Sequence, residues 1–291
     1  MDAALLLDKP VGLTSNAALQ RAKRLLGGRK AGHAGTLDPL ASGLLVVLFG
    51  EATKFAGPLL EDDKEYRATV RLGERTATGD AEGPVLERRA VTVGQAEVLA
   101  VLPRFRGAID QVPPMYSALK SEGRPLYELA RKGLTVERRA RRVEIARLEL
   151  LRFEAPDIDL DIRCSKGTYV RALAEDLGAA LGTGAHLAAL RRTGSGVFRV
   201  ENARTLDALE ALSGPGRAET LIPLAQLLSG LPRADLDQEK EVRFRNGQSL
   251  PFEGASGLCG VFGAAGNVVG LGRADAHGLH PVRLTATQAA E

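Results

Sequence analysis

Asp38 is the acid whose setting first suggests chemistry. In Gly32-His33-Ala34-Gly35-Thr36-Leu37-Asp38-Pro39-Leu40-Ala41-Ser42-Gly43 it stands alone among glycines, a proline and small residues, and the apolar run Leu44-Leu45-Val46-Val47-Leu48-Phe49 follows at once. Asp before Pro is ordinary turn chemistry. A carboxylate pinned against the start of a buried strand can also serve as a nucleophile, provided something keeps it ionised. An arginine does that by lowering the carboxylate pKa and offsetting desolvation, and Arg171 in CSKGTYVRALAEDLG offers one. A tyrosine stacks on a planar ring and holds a phenolic proton, and Tyr66 in KEYRATVRLG offers one. Together the three suit chemistry on a base or ring better than hydrolysis. Each alone has a plainer reading, Tyr66 as a sheet aromatic and Arg171 as a surface residue at a helix start, and spacing does not bring them together.

Other chemistries lack their signatures. Gly27 and Gly32 have a P-loop-like separation, but His33-Ala34 follow where a lysine and a hydroxyl residue belong. No GxGxxG, GxSxG or HExxH motif is present, and four scattered histidines with two cysteines give no metal-ligand spacing, so neither metal nor cofactor is expected. Cys164 and Cys259, with no CxxC pairing, read as reduced thiols of a cytoplasmic protein. No apolar run approaches the roughly 20 residues that span a bilayer, and MDAALLLDKPVG does not read as a signal peptide.

Strand and helix patterns alternate irregularly behind these residues. ALLLDKPVGLTS reads as a buried strand closed by a Lys-Pro-x-Gly turn, with Thr14 or Ser15 capping a helix that stops at Gly27-Gly28. LLVVLFG, KEYRATVRLG, RVEIARLELLRFE and DIDLDIRCSKGTYV have strand patterns. VTVGQAEVLAVLPRF predicts a helix capped by Thr92, VRALAEDLGAALG another ended by Gly182–Gly184, and AHLAALRRTGSGVFRVENA a helical turn leading into a strand. Such mixing argues for a mixed sheet flanked by helices. Residues 104–142, with Pro-Pro and Gly-Arg-Pro turns, read as an insertion and not a core layer, whereas 232–291 is glycine-rich with short strands and suits a small β-rich module.

Charge is unevenly spread. Residues 104–142 hold ten basic and four acidic side chains, net +6, whereas 201–240 hold seven acidic and four basic, net −3. That polarisation points to a basic surface facing a polyanion, with nucleic acid the favoured partner.

GHAGTLDPLASGLLVV closely resembles the G-H-x-G-x-L-D-P-x-A-x-G motif of the bacterial tRNA pseudouridine-55 synthases, the TruB family. LLLDKPVGLTS, GEATKF, KEYRATVRLG, QVPPMYSALKSEGRPLYELARKG, CSKGTYVRALAEDLG and AHLAALRRTGSGVF follow in the family's order, covering residues 5–230. FRNGQSLP and VVGLGRAD resemble its C-terminal PUA-type RNA-binding domain. Ala34 is a departure, standing where many members carry threonine.

The resemblance implies the pseudouridine synthase fold, an α+β fold with a mixed, mainly antiparallel sheet flanked by helices. It implies a catalytic domain over 1–231 with a basic arm inserted at about 104–142, then a small β-rich PUA-type domain over 232–291. It makes Asp38 the catalytic aspartate, Tyr66 the active-site tyrosine and Arg171 the arginine paired with the aspartate. Leu190 packs in the pocket, Tyr169 contacts substrate, His33 lies against the bound T-loop, and Lys9 with Pro10 gives support from the N-terminal motif. The implied activity is isomerisation of uridine to pseudouridine at position 55 of tRNA, by flipping the base from the T-loop. It needs no cofactor, no membrane and no obligatory protein partner, and suits a cytoplasmic monomer bound to the tRNA T-arm. Two alternatives stay open: a subunit of a guide-RNA particle, and a non-catalytic RNA-binding or RNA-folding protein.

Overall fold

The computed structural model describes residues 1–28, 30–117, 119–121 and 123–286. Its main layer is a mixed sheet. Arg204–Thr205, Ala3–Lys9, Ala41–Phe49, Ala185–Ser195, Lys64–Leu72, Asp157–Cys164, Arg141–Glu154 and Gly107–Gln111 lie side by side in that order. Ala41–Phe49 meets Ala185–Ser195 in parallel, as does Ala3–Lys9 with Arg204–Thr205; the other neighbours along that path are antiparallel.

Successive strand side chains point to opposite faces, and this explains the wholly apolar 44–49 run. Leu45, Val47 and Phe49 join Leu5 and Leu7 against the Ser15–Leu26 helix, burying Ala18, Leu19, Ala22 and Leu26. Leu44, Val46 and Leu48 face the other way, into a core with Ala4, Leu6, Phe55 and Leu59. Covered on both faces, this strand makes a stiff base for the loop that precedes it. The Ser15–Leu26 helix is capped as its sequence predicts: the Thr14 hydroxyl accepts from the Ala17 N–H at 3.1 Å, and Gly27 ends it at φ 65°.

The Val170–Ala180 helix packs on the opposite half of the sheet through Leu173, Ala174 and Leu177. It approaches so closely that a Cβ at Gly178 would lie 2.2 Å from the Ala185 N. Gly182 and Gly184, at φ 74° and 67°, reverse the chain after it. AHLAAL, predicted as a helical turn, is instead the start of the Ala185–Ser195 strand. Ala and Leu favour helix, but Lys64–Leu72 pairs this whole segment from Ala185 to Ser195, and tertiary pairing overrides propensity. A second difference is smaller. The Gln95–Val101 helix starts from Gly94, whose N–H is met by Glu97 Oε2 at 3.0 Å, so Thr92 is not its cap.

The ends of the basic 104–142 stretch are part of the sheet: Arg141–Ile145 pairs with Gly107–Gln111 at its edge. The excursion from the sheet is therefore 112–140, containing the Leu126–Arg131 helix. Beyond residue 232, Arg233–Asp235, Gly257–Phe262, Val268–Asp275 and Gly278–Leu284 form a separate four-stranded sheet. It has its own small core around Phe244, Val261, Val269 and Leu279. Phe262 and Leu271 also pack into the core that holds Leu6 and Leu227.

Candidate active site

The loop from Gly35 to Gly43 is fastened at several points. Ser15 Oγ accepts from the Leu37 N–H at 2.7 Å and donates to the Leu37 carbonyl at 2.9 Å. The Gly12 N–H donates to the Pro39 carbonyl at 2.8 Å, tying the Lys-Pro-x-Gly turn to the loop, and Ala41 N–H donates to the Asp38 carbonyl at 3.1 Å. Gly35 and Gly43 have φ of 83° and 101°, the left-handed region where a side chain is strained. At Gly43 a Cβ would also lie 2.2 Å from the Arg192 carbonyl oxygen. Backbone geometry thus accounts for Gly35 and Gly43 on either side of the acid.

Asp38 is carried at the loop's turn with 43% of its side chain exposed, and Arg171, only 6% exposed, reaches its Oδ2 at 3.0 Å. Arg171 is held in turn. Its Nη2 donates to the Tyr116 carbonyl at 2.6 Å and its Nη1 to the Thr78 carbonyl at 3.1 Å, while Asp80 Oδ2 lies 3.5 Å from Nη1. Asp80 is buried and accepts from the Thr78 hydroxyl and the Glu82 N–H. Sequence reasoning misses it: TATGDAEG reads as a turn, and nothing in it shows that the turn returns to Arg171. One guanidinium therefore bridges a half-buried carboxylate and a fully buried one.

The two partners pull differently on Asp38. Crowding by the surrounding protein raises its pKa above the usual carboxylate range, Arg171 opposes that, and Asp80 adds to it. Tyr66 is buried in the Lys64–Leu72 strand, paired in register with Ile162 on one side and Arg192 on the other. Burial raises its phenol pKa, and the neighbouring Arg192 guanidinium opposes the rise. Leu190 is half-buried in the adjacent strand, paired with Ala41 and Ala68, and packs on the core containing Leu37.

Tyr169 immediately precedes the Val170–Ala180 helix that carries Arg171, so the two arrive together. Gln111 fixes it: its Oε1 accepts from the Tyr169 N–H at 2.8 Å and its Nε2 donates to the Tyr169 carbonyl at 3.1 Å. Lys9 is wholly buried and donates to the carbonyls of Pro10 and Leu13 at 2.9 and 2.7 Å, bracing the turn beneath the site. Burial lowers its pKa to about 8, against the pull of Asp38. His33 lies on the Ala31–Ala34 strand opposite Val47. No hydrogen bond or ion pair joins it to Asp38 among the described residues. Its Nδ1 is buried with no hydrogen-bond partner among the described residues, and burial, reinforced by Arg192, lowers its pKa.

The fold thus joins Asp38 and Arg171 directly, sets Tyr66 and Leu190 on neighbouring strands, and leaves His33 on a separate strand. A carboxylate oriented by a fixed guanidinium, with a phenol and apolar walls near it, is equipped to attack an electrophilic carbon of a planar substrate. Among the described residues no group of histidine, cysteine and acidic side chains could hold a metal ion.

Residues 23–170 match the model of the TruB family pseudouridylate synthase N-terminal domain, and 171–231 match the tRNA pseudouridylate synthase B C-terminal domain. The chain belongs to the TruB family of pseudouridylate synthases. It is 54% identical to the tRNA pseudouridine synthase B of Burkholderia mallei, over 99% of this chain and 98% of that one. With the Thiobacillus denitrificans protein of the same name it shares 52% identity, covering 99% and 97% of the two chains. Among solved structures, the archaeal box H/ACA sRNP Nop10-Cbf5 complex holds a chain of the same fold. It superposes with a TM-score of 0.73 at 26% identity, over 97% of this chain and 85% of that one. A Cbf5-Nop10-Gar1 complex gives the same TM-score at 28% identity, over 94% and 78%. As a TruB-family enzyme the chain carries the pseudouridine synthase fold, and its small C-terminal sheet is consistent with a PUA-like domain.

Proposed function

We propose that this protein isomerises uridine to pseudouridine at position 55, in the T-loop of tRNA, with Asp38 as the nucleophile. The observation that carries the reading is the Arg171–Asp38 pair at 3.0 Å, on a loop fixed by Ser15 and Gly12, in a chain 54% identical to a tRNA pseudouridine synthase B. Asp38 attacks an electrophilic carbon of the target nucleotide, ribose C1′ or uracil C6, and the bond it forms breaks again before product leaves, returning the free carboxylate. The bond from C1′ to N1 breaks, one from C1′ to C5 forms, C5 loses its proton and N1 gains one. Atoms and electrons balance within one nucleotide, so the reaction draws on no cofactor.

Arg171 orients the carboxylate and favours its ionised form. Tyr66 and Leu190 wall the pocket for the flipped base, Tyr169 contacts it, His33 meets the T-loop, and Lys9 supports the turn beneath. Residues 1–231 serve as the catalytic domain, with 112–140 as an arm that grips the T-arm through its phosphates. Residues 232–291 serve as a PUA-type RNA-binding domain. The enzyme works as a cytoplasmic monomer.

The likeness to chains from H/ACA complexes keeps one rival in view, action within a guide-RNA particle. Incubation of the purified protein with an unmodified tRNA transcript, followed by carbodiimide treatment and primer extension, separates the two. A stop that reports pseudouridine 55, with no other protein or RNA added, is expected. Its absence, with modification restored by a guide RNA and partner proteins, favours the rival.

A further inference from the structure

Arg192 is 1% exposed and sits mid-sheet, paired with Gly43 of the Ala41–Phe49 strand on one side and Tyr66 on the other. Its guanidinium turns back onto that loop. Nη2 donates to the Gly35 carbonyl at 3.0 Å, Nη1 reaches the Thr36 carbonyl at 3.5 Å, and Nε donates to the Leu44 carbonyl at 2.6 Å. Gly35 and Thr36 precede Asp38 and Leu44 follows it, so one side chain holds both ends of the segment that carries the carboxylate. Gly35 is shaped to it: a Cβ there would lie 3.2 Å from Arg192 Nη1.

Arg192 differs from the arginines near it. Arg191 pairs with Asp8, and Arg171 with Asp38 and Asp80, whereas Arg192 makes no ion pair among the described residues. Arginine does not shed its proton, and a buried charge without a counter-ion is costly unless its donors are satisfied. Three carbonyls at separated points take up three of its five N–H donors and the Tyr66 phenol lies against the same guanidinium, which asks for a planar fork and not for the point charge of lysine. The positive charge left unneutralised faces the Tyr66 phenol and the Asp38 loop.

We propose that Arg192 is a positioning residue of the isomerisation: it fixes the Asp38 loop through the Gly35, Thr36 and Leu44 carbonyls and presents its charge to Tyr66. The proposal rests on the function given above. Arg192→Lys keeps the charge but not the fork. At saturating tRNA its single-turnover rate should fall about tenfold or more, since hydrogen bonds to a charged group are removed, while the transcript Kd stays within about threefold. Hydrogen exchange of the free protein, followed by mass spectrometry, should quicken in peptides covering 35–44 and not in the C-terminal sheet. If Arg192 variants do not fold, Gly35→Ala presses the same contact from the loop side and should give the same pair of changes.

Unchanged rate and unchanged exchange in Arg192→Lys would overturn the proposal. So would a rate loss that only follows the unfolded fraction, with exchange quickened throughout the chain. Wild-type protein that makes no pseudouridine from the transcript, alone or with a guide RNA and partners, sinks the functional reading itself. An active wild type with an unaffected Arg192→Lys sinks this inference alone.

Discussion

Asp38 sits between opposed influences: burial favours its neutral form, Arg171 favours the carboxylate, and Asp80 works against it. A nucleophile must be ionised, so protonation is the inactive branch. With the pKa raised, activity should fall on the acid side at a higher pH than an ordinary aspartate near 3.9 would give. Asp38→Asn should remove both the acid limb and the turnover, and leave tRNA affinity within a few-fold, since that affinity is expected to rest on phosphate contacts away from Asp38. A variant that still turns over at a substantial fraction of the wild-type rate refutes the nucleophile.

Arg171→Lys tests the pair. A lysine cannot reach Asp38, Asp80 and two carbonyls at once, so the single-turnover rate should drop by about 10²-fold, at about 1.4 kcal/mol per factor of ten, as two charge-assisted hydrogen bonds disappear. Rapid-quench measurement on saturating transcript reads this directly.

Lys9 offers a stability test. Its folded pKa is about 8, whereas an unfolded lysine titrates near 10.4. Between those values the unfolded chain holds a proton that the folded chain has shed, so this residue makes the fold more stable as pH rises through that window. Urea midpoints should therefore climb more from pH 8 to pH 10 in wild type than in Lys9→Met, by about 2–3 kcal/mol when converted to free energy.

At the scale of elements, legibility from sequence depends on how local each cause is. The 44–49 strand, the Thr14 cap and the Gly27 stop follow from side chains within a few residues of one another, and all three are present. Ala185–Ser195 reads wrongly because its strand state is imposed by Lys64–Leu72, more than a hundred residues earlier in the chain. The same distance hides part of the site. Asp38 is conspicuous in its own loop, but Asp80, Gln111 and Arg192 act on it or its neighbours only after folding; Gln111 reads from sequence as part of an insertion and Arg192 as part of a helical turn leading into a strand. Gly43 is a case where a local pattern and a distant contact coincide. Its φ of 101° and the 2.2 Å that would separate a Cβ from the Arg192 carbonyl leave no room for alanine. Gly43→Ala should destabilise the fold by about 2–5 kcal/mol, the sum of backbone strain and overpacking, measured by urea unfolding. A destabilisation within about 0.5 kcal/mol would show that the loop and the Ala185–Ser195 strand separate easily.

For the molecule as a whole, the uneven charge seen in the sequence acquires a location. The +6 stretch flanks the sheet edge at Gly107–Gln111, and Tyr116 within it gives its carbonyl to Arg171, so the arm and the Asp38–Arg171 pair are mechanically joined. Its arginines are not equivalent. Arg142 faces Asp110 at 3.4 Å and Arg138 donates to the Pro113 carbonyl at 3.1 Å, whereas Arg139 and Arg141 make no hydrogen bond or ion pair among the described residues. A cation already engaged with the protein has less to give a phosphate. Changing Arg139 and Arg141 together to alanine should weaken tRNA binding and flatten the dependence of log K on log salt by about 0.7–0.9 for each phosphate that is no longer neutralised. Changing Arg138 and Arg142 should flatten it less. The rate in the bound complex should change little in either, because Asp38 and Arg171 keep their partners. Titrations of labelled transcript at several salt concentrations give the slopes. Equal slopes in wild type and the Arg139/Arg141 variant would mean that those two side chains meet solvent in the complex, and that the RNA is held by another basic face.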